Sequence, residues 1–248
     1  TQGVSSAASD VYKRQIGDLN MKFKNILFDF DDTLVDFYDA EKKAFYNLAQ
    51  KYNHQPSQQD FEHFRKVNQA HWEAFQQNKL TKDEVLSQRF INYFNDYHIH
   101  VNGKEADECF RAELAKAPVK LFDHTLEVIQ QLKLNHSLYI VTNGVTETQL
   151  RRIAQTQFNE IFQDVFISEQ TGFQKPMTEF FDFVFEHIGE NNRNQTLIVG
   201  DSLTSDILGG KNANISTCWF NIRQKENHTS IQPDYIINDL SEMVHIVE

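Results

Sequence analysis

A short apolar run, Ile26-Leu27-Phe28, ends in three carboxylates within four residues: Asp29, Asp31 and Asp32. Such a run reads as a buried strand, and a parallel strand delivers its carboxyl end to a crevice where ligands bind. Two acids two positions apart repel each other and lose hydration if they are merely packed there. A divalent cation resolves that conflict. So does a reaction that uses one acid as nucleophile and the other as proton carrier. An acidic turn capping a strand is the plainer reading of Asp29 and Asp31 alone, so the weight falls on what stands downstream.

The texture of the chain changes twice. The first strand is expected over Asn25 to Phe30. From about Asp39 to Ala117 apolar residues recur at helical spacing, as in Phe61-Phe64-Val67-Trp72-Phe75 and Val85-Leu86-Phe90-Ile91-Phe94. Thr81 with Glu84 forms a capping box, and Pro56-Ser57 marks another helix start, so roughly four helices are predicted. After Pro118 strands and helices alternate. Strands are predicted at Ser137–Val141, Val165–Ile167, Thr196–Val199, Ser216–Phe220 and near Tyr235–Ile237. Helices are predicted at Thr125–Leu134, Glu147–Gln155, Glu179–His187 and Leu203–Ala213, with a terminal helix after them. That alternation implies an α/β fold on a parallel sheet with right-handed crossovers, carrying an all-helical inserted cap. The catalytic core is expected over 21–36 and 118–248, and the cap over 37–117.

Residues 1–20 have neither apolar periodicity nor a signal-type hydrophobic region. Val4 to Gln15 resembles a translated sequencing-library adapter. The expectation is a natural start at Met21, preceded by a non-native leader that is disordered or weakly ordered.

Composition narrows the partners. A net charge of −11 argues against a nucleic acid polymer, so a small phosphorylated substrate would need local positive charge and a metal. No apolar stretch is long enough to span a bilayer. Cys109 and Cys218 lie far apart and read as two reduced, buried thiols of a cytoplasmic protein.

Four polar features need a reason. Thr142-Asn143-Gly144 ends the second core strand, where a hydroxyl and free amides at a strand-to-helix turn make a phosphate cradle; a plain Asn-Gly turn is the alternative. Lys175-Pro176 precedes a helix, and Lys175 is expected to be the only cation near several acids rather than a solvated surface lysine. Gly200-Asp201 follows Leu197-Ile198-Val199, and Asp206 on the next helix can fold back onto it. Oxygen-only ligands of this kind favour a hard cation, Mg²⁺ above all. Gly209-Gly210 points to close packing against the sheet or a neighbouring loop, and Asn214 to a left-handed helix stop. Phe37, Tyr38 and Trp72 are candidate stacking surfaces, although an aromatic on a helix face is more often core.

Taken together, Asp29-x-Asp31-x-Thr33, Thr142-Asn143, Lys175-Pro176 and Gly200-Asp201 with Asp206 resemble the four motifs of the haloacid dehalogenase superfamily, over Met21 to about Glu248. The resemblance implies a doubly wound, Rossmann-like sheet with the first strand central. It implies Asp29 as the nucleophile that becomes an aspartyl phosphate. Asp31 is then the acid that protonates the leaving oxygen and later deprotonates water. Thr142 and the Asn143 amide would bind phosphoryl oxygens, and Lys175 would neutralise charge. Asp29, the Asp31 carbonyl and Asp201 would hold Mg²⁺, with Asp206 in the same site directly or through water; Mn²⁺ is the expected substitute. True dehalogenases lack the second acid, so Asp31 favours phosphoryl transfer.

Gly172-Phe173-Gln174-Lys175-Pro176, Val199 to Ile207 and Thr217-Cys218-Trp219-Phe220-Asn221 look like the pyrimidine 5′-nucleotidase subgroup, with Asn214 where that subgroup usually has glycine. The implied activity is Mg²⁺-dependent hydrolysis of nucleoside 5′-monophosphates, pyrimidines preferred. The alternative is a sugar-phosphate or phosphoglycolate phosphatase; a phosphomutase or a non-catalytic phospho-ligand binder is further off. The partner is a small phosphomonoester, and the sequence sets no oligomeric state.

Overall fold

The computed structural model describes residues 22–247, so the expected leader lies outside the described residues. Its strands are β1 (Asn25–Phe28), β2 (Ser137–Thr142), β3 (Asp164–Ile167), β4 (Thr196–Gly200), β5 (Ser216–Phe220) and β6 (Tyr235–Ile237). They form one parallel sheet in the order β3-β2-β1-β4-β5-β6. β1 is central, with Phe28 in register with Ile140 of β2 and Val199 of β4. The carboxyl ends of these three strands therefore meet at one edge. That edge carries the acids.

The helices are α1 (Tyr38–Lys51), α2 (Gln58–Gln76), α3 (Lys82–Asn95), α4 (Gly103–Lys116), α5 (Thr125–Leu132), α6 (Thr146–Ile153), α7 (Phe158–Ile161), α8 (Ser168–Thr171), α9 (Thr178–Ile188), α10 (Leu208–Asn212) and α11 (Met243–Val247). Both faces of the sheet are covered, which is why its strands read as apolar runs without alternation. Ile26 and Phe28 pack with Val128, Ile129, Phe158 and Phe162 on one side; Leu27, Val141 and Ile198 pack with Phe180, Phe181 and Val184 on the other. α10 lies tight on the sheet because Gly209 and Gly210 lack side chains. A Cβ on Gly209 would stand 2.7 Å from the Phe181 ring, and one on Gly210 2.6 Å from Ile198. Asn214 then stops the chain at φ 55°.

Helices α1–α4 enclose an apolar cluster of their own, in which Phe45 and Phe64 stack at 4.5 Å. Capping boxes start α2 (Ser57 with Asp60) and α3 (Thr81 with Glu84). Beside the cluster, Arg89 pairs with Asp107 at 2.6 Å and bonds to Asn68 at 2.9 Å, and Asn68 in turn bonds to Glu41 at 2.8 Å. No helix among the described residues is long and apolar enough to cross a membrane.

Three expectations change in detail. The β1 ladder stops at Phe28 rather than Phe30: the Asp29 amide makes a last bond to Val199 O at 2.9 Å, and Leu34 and Val35 then turn back onto Phe30 O. The helix expected over Leu203–Ala213 begins as a π-turn, Leu203–Ile207, before α10. Cys109 is half-buried, and Cys218 alone is buried.

Candidate active site

All seven expected site residues, Asp29, Asp31, Thr142, Asn143, Lys175, Asp201 and Asp206, line one cavity of about 680 Å³ between the sheet edge and helices α2–α4. Lys175 is at its base, 1 % exposed, because the segment before α9 threads under the ends of β1 and β2. Its Nζ donates to Asp29 Oδ1, Asp206 Oδ1 and the Val141 carbonyl, each at 2.7 Å. Burial alone would lower the Lys175 ammonium, but Asp206 and Asp29 outweigh it and hold the group above the ordinary lysine value.

Lys175 pairs with two of the three clustered acids, Asp29 and Asp206. Asp29, Asp201 and Asp206 each bring a carboxylate oxygen within 4.8 Å of the others. Burial raises Asp29 well above the usual carboxylate range against the pull of Lys175, and Asp206 and Asp201 push the same way. Burial likewise pushes Asp201 up to about 7, against Lys225. Carboxylates that resist ionisation in a cluster of oxygen donors are what a hard divalent cation relieves, so the donor set fits Mg²⁺.

The π-turn explains where Asp206 points. Ile207 N reaches back to Ser202 O at 3.2 Å, and Ser202 Oγ accepts from Ser205 N. The added residue per turn swings Asp206 over the end of β4, where Oδ2 accepts from Ser202 N at 3.1 Å while Oδ1 takes Lys175. Gly200 leaves room for this: a Cβ there would lie 2.2 Å from the Asp206 carboxylate. Thr33 ties the two acid-bearing turns together, accepting from Asp201 N at 3.0 Å and donating to Asp29 Oδ2 at 3.4 Å.

The Asn143 side chain clamps the lysine segment, donating to Lys175 O and accepting from Lys175 N, both at 2.9 Å. From above, Lys82 at the start of α3 donates to the carbonyls of Asn143 (2.9 Å) and Gly144 (2.7 Å). A cap helix is thus bonded to the turn expected to cradle phosphate.

Lys175 is not the only cation near the acids, contrary to expectation. Arg152 pairs with Asp31 at 2.5 Å, Arg223 with Asp32 at 2.9 Å and Lys225 with Asp201 at 3.3 Å. These partners lie on α6 and on the segment after β5, where charged side chains in sequence look like solvated surface. Gln149 was also not anticipated; it bonds Asp31 at 2.8 Å and Thr142 at 2.9 Å. The available signal was spacing: Gln149 and Arg152 are three apart on the helix that opens just after Thr142-Asn143-Gly144, hence on one face. Of the stacking candidates, Phe37 and Trp72 line the cavity. Tyr38 instead packs on Phe61 and donates to Glu62 at 2.8 Å.

A family model described as haloacid dehalogenase-like hydrolase matches residues 26–220. The chain is 39% identical to YfnB of Bacillus subtilis, named a HAD-hydrolase, covering 91% of this chain and 96% of that one. The crystal structure of YfnB bound to magnesium, which reveals interdomain movement, superposes with a TM-score of 0.85 over 91% of this chain and 99% of that one. The chain is 34% identical to the pyrimidine 5′-nucleotidase PynA of Streptococcus pneumoniae (92% and 96% covered) and 28% identical to the pyrimidine 5′-nucleotidase YjjG of Escherichia coli (92% and 99% covered). The chain belongs to the haloacid dehalogenase-like hydrolase family.

Proposed function

We propose that this haloacid dehalogenase-like hydrolase is a cytoplasmic, Mg²⁺-dependent phosphatase of nucleoside 5′-monophosphates, pyrimidines preferred, working through an aspartyl phosphate on Asp29. The observation that carries the reading is the buried contact of Asp29 with Lys175, facing Asp201 and Asp206 at the mouth of the central strand. In this reading residues 37–117 form the cap over a core of 21–36 and 118–248.

Asp29 attacks phosphorus as the bond to the leaving oxygen breaks, and Asp31 gives that oxygen its proton. Asp31 then takes a proton from the water that attacks the same phosphorus and frees Asp29. Thr142 and the Asn143 amide bind the phosphoryl oxygens, and Lys175 keeps the nucleophile and the transferring group electrically tolerable. Asp29, the Asp31 carbonyl and Asp201 would hold Mg²⁺. Asp206 would join the same site, directly or through water. When bound, Mg²⁺, or Mn²⁺ in its place, would neutralise the carboxylates and the phosphoryl oxygens.

A cavity of about 680 Å³ with Trp72 and Phe37 in its wall has room for a flat base and a ribose. The nucleotide preference draws further support from the names of PynA and YjjG. The test is kcat/KM for dUMP, dTMP, dAMP, dGMP, phosphoglycolate and glucose 6-phosphate in one buffer. The pyrimidines should lead by about ten- to a few hundred-fold, the order that ~1–3 kcal/mol of packing supplies. If phosphoglycolate or the hexose phosphate leads, the sugar-phosphate reading replaces this one.

A further inference from the structure

We propose that Gln149 and Arg152 are positioning residues for the Asp31 carboxylate, with Arg152 keeping hold of Oδ1 while Oδ2 exchanges a proton with the leaving oxygen. This rests on the reading of Asp31 as the acid and base of the reaction.

Asp31 lies beyond the end of β1, where the ladder has already stopped, and its side chain is 29% exposed. Nothing in the strand fixes its rotamer. Two side chains from α6 do. Arg152 Nη1 donates to Oδ1 at 2.5 Å, and Gln149 Nε2 donates to Oδ2 at 2.8 Å. Each carboxylate oxygen therefore has its own donor. The Gln149 amide nitrogen also donates to Thr142 Oγ1 at 2.9 Å, so a single group joins the proton carrier to the expected phosphate cradle. Gln149 Oε1 accepts from Arg152 Nη1 at 3.1 Å, which ties the two donors to each other.

The surroundings are shaped to hold these groups. The Arg152 side chain is 2% exposed, with its guanidinium 5.0 Å from the Phe30 ring centroid and 4.9 Å from that of Phe37. Its Nε is buried without a hydrogen-bond partner among the described residues. A guanidinium buried with one nitrogen unsatisfied costs stability, and its charge is directed at a single carboxylate. A Cβ on Gly144 would stand 2.5 Å from the Gln149 amide, so glycine at that turn is needed to admit it.

The two contacts are unequal. The Arg152 contact joins two charged groups and the Gln149 contact only one, so Oδ2 is the oxygen more easily released toward the cavity. The proton carried on Oδ2 passes to the departing oxygen. The freed Oδ2 then takes back the Gln149 amide, while Arg152 prevents the carboxylate from rotating away. An acid held in this way matters for a poor leaving group and little for a good one.

The experiment compares kcat/KM for dUMP and p-nitrophenyl phosphate, since this ratio reports steps only through departure of the leaving group. Wild type, Arg152→Met, Arg152→Lys, Gln149→Ala and Asp31→Asn are measured with thermal melts. Arg152→Met should lose about 10- to 100-fold on dUMP and within about three-fold on p-nitrophenyl phosphate, with Arg152→Lys between it and wild type. Gln149→Ala should show the same selectivity at about 3- to 10-fold, and decides the matter if Arg152→Met does not fold. Equal losses on both substrates, or none, would overturn the proposal while Asp31→Asn remains selective. If Asp31→Asn itself shows no leaving-group selectivity, the acid–base reading fails first and the positioning role falls with it.

Discussion

Lys175 Nζ sits 2.7 Å from Asp29 Oδ1, across 146 residues of sequence, with the lysine side chain 1% exposed. The contact joins the end of the central strand to the segment before α9 and commits a buried charge to a single place in the fold. Lys175→Met should leave Asp29 and Asp206 as buried carboxylates without their ammonium. Turnover should fall by about 10²-fold or more, as when a preorganised charge is removed from a transition state. Lys175→Arg should not rescue it, since a planar fork does not reproduce the contact of one ammonium with Asp29, Asp206 and the Val141 carbonyl. Steady-state rates and melts on both variants check this.

Metal removal follows from the cluster of Asp29, Asp201 and Asp206. Excess EDTA should abolish phosphate release, Mg²⁺ and Mn²⁺ should restore it, and Ca²⁺ should restore it poorly because a larger ion accepts looser coordination. Full activity in EDTA would remove the cation from the account.

Lys82 bonds the cap helix to the Asn143 and Gly144 carbonyls, with Glu169 at 3.4 Å. Burial pulls its ammonium down from 10.5 to about 8, against the upward pull of Glu169. A folded value below the ordinary one means that the penalty for burying the charge is complete below about pH 8 and is relieved as pH rises toward 10.5. Between pH 8 and 9.5 the stability of wild type relative to Lys82→Met should therefore rise, by about 1–2 kcal/mol. Parallel denaturant titrations at the two pH values measure it, and a flat or falling difference contradicts the burial of the Lys82 charge.

Asp107 holds Arg89 at 2.6 Å and Arg111 at 2.6 Å inside the cap. Asp107→Ala leaves the buried Arg89 guanidinium without its carboxylate and should cost about 3–5 kcal/mol of unfolding free energy. Urea denaturation is the measurement, and a loss under about 1 kcal/mol would mean that solvent reaches Arg89.

Much of this arrangement is legible in the sequence. Asp29 and Asp201 stand at the ends of apolar runs, with Asp206 five residues after the second, and in a parallel sheet covered on both faces such runs read as central strands. The capping box at Thr81 and Glu84 is equally local and equally readable. Gln149 and Arg152 were not, because their value comes from Asp31, 118 and 121 residues away, and a helical arginine looks like surface until its partner is known. The π-turn at Leu203–Ile207 was missed for a related reason. Helix periodicity does not register one added residue, and the Ser202 and Lys175 contacts that favour it are tertiary.

The central claim is that Asp29 carries the phosphoryl group. The most direct measurement is acid quenching of the Mg²⁺-loaded enzyme during dUMP turnover, borohydride reduction and peptide mass spectrometry. Reduction of an aspartyl phosphate yields homoserine, and the account predicts it at position 29, absent without substrate and absent in Asp29→Asn, which should also lack turnover. Homoserine at another aspartate, or steady turnover by Asp29→Asn, would contradict it.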